Sequence, residues 1–216
     1  MSQRSHLPLL IFAGLMFVVF VMMFVAILPK QTVVFTDEEE EVRTGIQAYD
    51  PVNGSPDAPI IITHYSDFLC ESCSDVAEAL NRVAQDYPDE ITLVWKDFPN
   101  VYAHPLAPEA SLAARCAGEQ AAFWEYHDYL FSHQQDLTEE TASELFSLIA
   151  EEVGIGSWRF NRCMNGQHTF EDMEMSYQDG LDLELISAPT ISVNEEWFTG
   201  TISESELRSV ILNLEL

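Results

Sequence analysis

Two cysteines separated by two residues, in Cys70-Glu71-Ser72-Cys73, carry the sharpest chemical signal in the chain. That spacing lets both sulfurs meet across one helical turn. Where such a pair opens a helix, the first sulfur lies among unpaired N–H groups at the positive end of the helix dipole. A thiolate is therefore favoured at Cys70. The thiolate is the attacking species in disulfide exchange, so Cys70 is expected to exchange with a partner sulfur and Cys73 to resolve the mixed disulfide. Two other readings of the pair remain. Half of a structural zinc site would need a second close pair of Cys or His. Cys116 and Cys163 are isolated, and His127 and His133, six apart, fit such a pair poorly. A purely structural Cys70–Cys73 disulfide would close too short a loop to gain much chain entropy. Neither a metal nor a cofactor is expected.

The elements around the pair are legible in outline. Ile60-Ile61-Ile62 is a short β-branched run after Pro59 and predicts a buried strand. Val76, Leu80, Val83 and Tyr87 recur at helical spacing after Cys70, and Pro88 stops that helix. Ile91 to Trp95 is rich in strand formers. Strand, helix and strand in that order predict a βαβ unit with a parallel pair, and the reactive pair lies where its first strand hands over to its helix. From Pro108 to Phe131 good helix formers run with few breakers. Thr138 is expected to cap a helix carrying Leu145, Leu148 and Ile149 that ends at Gly154. Ser157 is expected to cap a short helix with Phe160 and Cys163, and Phe170, Met173 and Tyr177 mark another, stopped by Gly180. Strand character returns from Ile186 through Ile191 to Val193, and Ser203 to Leu214 reads as an amphipathic closing helix.

The N-terminal part is different. No charged residue occurs from Leu7 to Leu28, and at about 1.5 Å per residue that stretch spans roughly the 30 Å hydrocarbon core of a bilayer. A cleaved signal peptide would have a shorter apolar core and a small-x-small site, and Val25-Ala26-Ile27 is a poor one. The expectation is a tail at 1–6, an uncleaved transmembrane signal anchor at 7–28, an acidic linker at 29–50 and a folded domain at 51–216. Arg4 before the stretch and Lys30 after it balance each other, and the Met1 amine and His6 tilt the expectation toward a cytoplasmic N-terminus with the catalytic domain outside, in a single-pass cell-membrane protein. With 36 acidic against 9 basic residues the formal net charge is −27. No basic stripe exists for a phosphate backbone, so nucleic acid is not an expected partner. The acidity fits either a self-repelling soluble surface or adaptation to high salt.

Tyr65-Ser66-Asp67-Phe68-Leu69-Cys70-Glu71-Ser72-Cys73 resembles the active-site signature of the DsbA-like thiol–disulfide oxidoreductases. The likeness continues in Lys96-Asp97-Phe98-Pro99, His104-Pro105-Leu106, Cys116-Ala117-Gly118-Glu119-Gln120, Phe123-Trp124-Glu125-Tyr126-His127-Asp128 and Ala188-Pro189-Thr190. It covers about Pro51 to Leu214. The resemblance implies an α/β thioredoxin-like fold with a helical insertion at about 104–180, here preceded by one N-terminal transmembrane helix. It implies a cis proline at Pro189 facing the two sulfurs, with Ala188 and Pro189 presenting backbone to an extended peptide. It also implies protein thiols or disulfides as substrates, and a quinone-linked membrane redox partner of the DsbB or vitamin K epoxide reductase-like type. Disulfide formation is the leading expectation. A reductase or isomerase on the same scaffold, or a binding or chaperone module whose cysteines are incidental, are the rivals.

Three positions depart from the family pattern. Glu71 and Ser72 form the dipeptide that tunes Cys70, and the charge on Glu71 should raise the Cys70 pKa and weaken the couple as an oxidant. His64 stands where relatives commonly carry an acid beneath the resolving cysteine. It reads either as a proton carrier for Cys73 or as a strand histidine satisfied by a backbone carbonyl. Asn194 is followed by Glu195 where glycine is usual, so that turn must differ or carry strain. The resemblance further implies a structural disulfide between Cys116 and Cys163, with two buried free thiols as the alternative.

Overall fold

The β-branched run after Pro59 extends as strand β2, Ile60–Ser66, and pairs in parallel register with β3, Ile91–Asp97. Helix α1, Glu71–Asp86, joins them and ends at Tyr87, just before Pro88. This is the expected βαβ unit. Every residue of β3 is buried and β2 is nearly so, because both faces of the sheet are covered. The computed structural model describes residues 45–55 and 57–214. The expected tail, the anchor at 7–28 and the linker as far as residue 44 lie outside the described residues. Among the described residues no helix is long and apolar enough to cross a membrane.

The sheet has the order β1-β3-β2-β4-β5, with β1 at Val52–Asn53, β4 at Thr190–Val193 and β5 at Glu196–Thr199. β4 runs antiparallel to β2, and β5 antiparallel to β4. Between β3 and β4 come α2 (Ala107–Gly118), α3 (Phe123–Ser132), a short 3₁₀ turn (Gln134–Asp136), α4 (Ala142–Glu152), α5 (Ser157–Gly166) and α6 (Phe170–Asp182). α7, Glu204–Asn213, closes the domain with a capping box in which Ser203 and Glu206 satisfy each other's backbone N–H groups. Val76, Leu80 and Val83 of α1 and Leu207 and Ile211 of α7 share one core with Ile60, Ile62, Leu93 and Ile191. Phe68, Trp95 and Cys73 belong to a second core with α2 to α5.

Several expected boundaries move. The helix-forming run from Pro108 to Phe131 is two helices: Ala121 takes a left-handed φ of 59°, and the chain doubles back between Gly118 and Phe123. α4 starts after Thr141 rather than Thr138, whose hydroxyl instead accepts from Thr141 N–H in the preceding turn. Gly156, not Ser157, occupies the N-cap of α5. Gly180 does not stop α6. It lies inside the helix, where a Cβ would come within 2.6 Å of the Phe98 ring, so its role is close approach to the sheet. Ile186 is outside the strand and 90% exposed. Strands β1 and β5 are additional. At the β4–β5 turn Asn194 alone takes positive φ, at 53°, and its amide side chain accepts from Ile61 N–H and donates to the Pro59 carbonyl. That is how the turn dispenses with a glycine.

The linker boundary also needs correction. Residues 47–50 are part of the domain. Asp50 is buried against Lys96 Nζ at 2.8 Å, and the Tyr49 hydroxyl donates to Asp179 at 2.6 Å.

Cys116 on α2 and Cys163 on α5 are joined, both buried, at a sequence separation of 47. In the chain-entropy account a loop of that length contributes roughly 4 kcal/mol. The double variant Cys116→Ala/Cys163→Ala should therefore unfold at clearly lower urea than the parent under non-reducing conditions. A loss below about 1 kcal/mol would show that the unfolded chain gains little freedom from losing the bridge.

Candidate functional site

Cys70 is the N-cap of α1, in extended backbone with φ −86° and ψ 117°. The position usually held by Ser, Thr, Asp or Asn, whose oxygen meets the first free N–H groups, here holds a sulfur. Cys70 is half-buried and Cys73 fully buried, and both are free thiols. The two pKa values separate in opposite directions. Hydrogen bonding from the Cys73 thiol is the largest influence on Cys70. With the Ser72 hydroxyl, 3.1 Å from the sulfur, and the Cys73 N–H, it outweighs desolvation and pulls Cys70 down to about 6. Burial, first, and then the neighbouring Cys70 push Cys73 well above the ordinary thiol range. A reactive outer thiolate and an inner thiol that keeps its proton follow from this asymmetry.

The tuning dipeptide works differently from expectation. Glu71 is exposed to solvent. The carboxylate that opposes the thiolate is Asp67, which is fully buried. Ser72 supports the thiolate, and the Cys70 pKa is lowered overall rather than raised.

His64 is buried on β2, edge-on to Trp95 with ring centroids 5.7 Å apart, and its Nε2 has no hydrogen-bond partner among the described residues. Burial, and then His127, bring its pKa to about 3, so the ring stays neutral near pH 7 and resists taking up a second proton. The groups that favour a charge on Cys73 are the Asp67 N–H and the Ser66 hydroxyl, one strand residue from the loop.

The Ala188–Pro189 bond is cis, and the Ala188 carbonyl lies 3.9 Å from Cys70 Sγ. Cys70, Ala188, Phe98, Tyr102, Tyr177 and Ile186 line a cavity of about 260 Å³. Two large side chains of this lining stand in solvent, Tyr102 97% exposed and Ile186 90%.

Three supporting residues carried no role in the sequence reading. Asp67 accepts from Leu69 N–H at 2.7 Å and Asn100 N–H at 2.9 Å, and its Oδ2 lies 2.8 Å from His104 Nδ1. One buried carboxylate thus ties the Cys70 loop to the loop after β3. Gln134 donates from Nε2 to the carbonyls of Phe68 and Cys70 at 2.7 and 2.9 Å. Phe68 anchors the same loop by stacking on Trp95, centroids 4.4 Å apart. The position of Asp67 three residues before the pair was a usable signal. Gln134, 64 residues downstream, offered none.

The comparisons agree with this geometry. The family model described as thioredoxin matches residues 47–213. The Na(+)/H(+) antiporter NhaA 1 of Mycolicibacterium gilvum is 32% identical over 145 residues, covering 67% of this chain and 23% of the antiporter. The chain spans about a quarter of the length of the curated relatives it matches. Among solved structures, oxidised BdbD from Bacillus subtilis superposes with a TM-score of 0.67 at 20% identity, covering 76% of this chain and 91% of BdbD. Alpha-DsbA1 from Wolbachia pipientis gives 0.67 at 18% identity, with 79% and 93% covered. With the thioredoxin family model matched over residues 47–213, more than half of the chain, the chain belongs to the thioredoxin family.

Proposed function

We propose that this protein is a thiol–disulfide oxidoreductase that introduces disulfides into protein substrates outside the cytoplasm. One observation carries the reading: a half-exposed Cys70 whose thiolate is favoured, set over a buried Cys73 that keeps its proton. Stabilising the thiolate stabilises the reduced protein and so makes the disulfide form a stronger oxidant. The Ala188–Pro189 backbone and the exposed Tyr102 and Ile186 side chains of the Cys70 cavity suit an extended peptide with large side chains. The apolar segment at 7–28 would hold the domain at the membrane, with a quinone-linked DsbB-type or vitamin K epoxide reductase-like protein reoxidising it. A buried Cys116–Cys163 disulfide suits an oxidising compartment.

The test is the equilibrium potential of the Cys70–Cys73 couple against glutathione, run beside oxidation of a dithiol peptide. The expected potential is above about −200 mV, with thiolate absorbance rising through about pH 6. A potential near the thioredoxin value of about −270 mV would favour a reductase. Ser72→Ala removes a donor to the thiolate. It should raise the Cys70 pKa by about one unit and lower the potential by about 30 mV. The pH dependence of stability has a definite sign. The folded Cys70 pKa lies below the ordinary thiol value of about 8.5, so its contribution is full above that pH and is lost as pH falls through about 6. The reduced protein should therefore gain thermal stability over the oxidised protein as pH rises across that window.

A further inference from the structure

Disulfide donation requires a substrate thiol to lose its proton, and Cys73 cannot take it while it is held in the disulfide. His104 lines the same cavity as Cys70 and Ala188. Its Nδ1 lies 2.8 Å from Asp67 Oδ2, a carboxylate that can only accept, so Nδ1 carries the hydrogen and Nε2 is the free basic nitrogen of the neutral ring. The Asp67 carboxylate is itself immobilised by two backbone N–H groups and is fully buried. A base oriented by a buried carboxylate, in the cavity that the reacting sulfur also lines, is the arrangement that general-base activation of a thiol needs. The side chain of His104 is 29% exposed, so its proton can pass to solvent.

We propose that His104, positioned by Asp67, is the general base that deprotonates the substrate thiol as it attacks Cys70. This rests on the oxidoreductase reading above. In the step, His104 Nε2 takes the proton of the substrate thiol. The resulting thiolate attacks Cys70 Sγ, the Cys70–Cys73 bond breaks, and Cys73 leaves with the electron pair. A second substrate thiol then displaces Cys70 as a thiolate, closing the substrate disulfide. Of the two substrate protons, one ends on Cys73 and one in solvent. In reverse, the His104 imidazolium would protonate the departing substrate sulfur. The other titratable groups lining the cavity are Asp67 and Cys70 from the β2–α1 loop, Tyr102 from the loop after β3, and Tyr177 from α6.

His104→Asn retains a donor for Asp67 but no base. Full-length oxidised protein and this variant would be mixed with an alkyl thiol and, separately, with an aromatic thiol already ionised at pH 7. Thermal melts would confirm that both are folded, and His104→Gln serves as the second variant. At pH 7 the alkyl-thiol rate of His104→Asn should fall about 100-fold, recovering as pH approaches 9 and the thiol ionises unaided. With the aromatic thiol the variant should stay within about threefold of the parent. An equal deficit with both thiols at every pH would overturn the base assignment and leave exchange by Cys70 intact. A parent protein inert to both thiols would overturn the oxidoreductase reading and this inference together.

Discussion

Cys70→Ser should abolish exchange, whereas Cys73→Ser should leave a protein that accumulates mixed disulfides on Cys70. With its pKa near 6, Cys70 is roughly nine-tenths thiolate at pH 7, against a few per cent for an ordinary thiol. Cys73 is buried and held protonated, so it attacks only a sulfur already bonded to its neighbour. Remove it, and the mixed disulfide has no internal resolving group. The choice of replacement matters, because the Cys73 thiol is also the main donor to the Cys70 thiolate. Serine can keep a donor there and alanine cannot. The Cys70 pKa should therefore rise further in Cys73→Ala than in Cys73→Ser, and adduct formation at pH 6 should be slower in the alanine variant. Incubation with a peptide disulfide, followed by non-reducing mass analysis, reads both effects. Equal trapping by Cys70→Ser and Cys73→Ser would sink the division of labour.

Lys96→Met should cost about 3–5 kcal/mol at neutral pH, the range for breaking a buried ion pair from one side. Lys96 lies inside the domain between Asp50 at 2.8 Å and Asp179 at 2.5 Å, with its Nζ 5.0 Å from the centre of the Tyr49 ring. Methionine fills similar volume but removes the cation from both carboxylates, leaving Asp50 the Gln47 N–H and Asp179 the Tyr49 hydroxyl as donors. Acid should relieve the defect. Desolvation, the largest influence, already raises the Asp50 pKa in the native protein even against the lysine. A carboxyl whose folded pKa is raised contributes stability below its unfolded value of about 3.9 and loses it as pH rises through the folded value. Without Lys96 that window widens upward. The deficit of Lys96→Met should shrink as pH is lowered from 7 towards 4, and Asp50→Asn in the same chain should recover part of it. Urea unfolding at the two pH values decides this. A loss below about 1 kcal/mol at pH 7, or one that grows in acid, would show that the charges are not confined as the structure places them.

The chain by itself determined the chemistry and the frame that holds it. Cysteine spacing and its place between a β-branched strand and an amphipathic helix are local facts. Hydrophobic periodicity carries them, and it survived as β2, α1 and β3. The cis Ala188–Pro189 bond and the Cys116–Cys163 bridge came from the family likeness, and the structure has both. Only tertiary structure decided which charges matter. Glu71, adjacent in sequence, faces solvent, whereas Asp67 is buried and acts on the sulfur. Coulombic strength depends on burial and distance, neither of which sequence separation reports. The same reason left the His64 ring neutral near pH 7, since its burial follows from packing against Trp95, 31 positions away. It hid Gln134, which reaches the Cys70 carbonyl only because the insertion folds back over the loop. Helix boundaries moved at Thr141 and Gly156 by one to three residues, and the helix runs on through Gly180 because its missing Cβ admits the Phe98 ring. The acidic stretch before residue 51 looked like solvated linker by composition alone. Asp50 belongs to the core because one buried lysine, 46 positions later, supplies the charge that makes its burial tolerable.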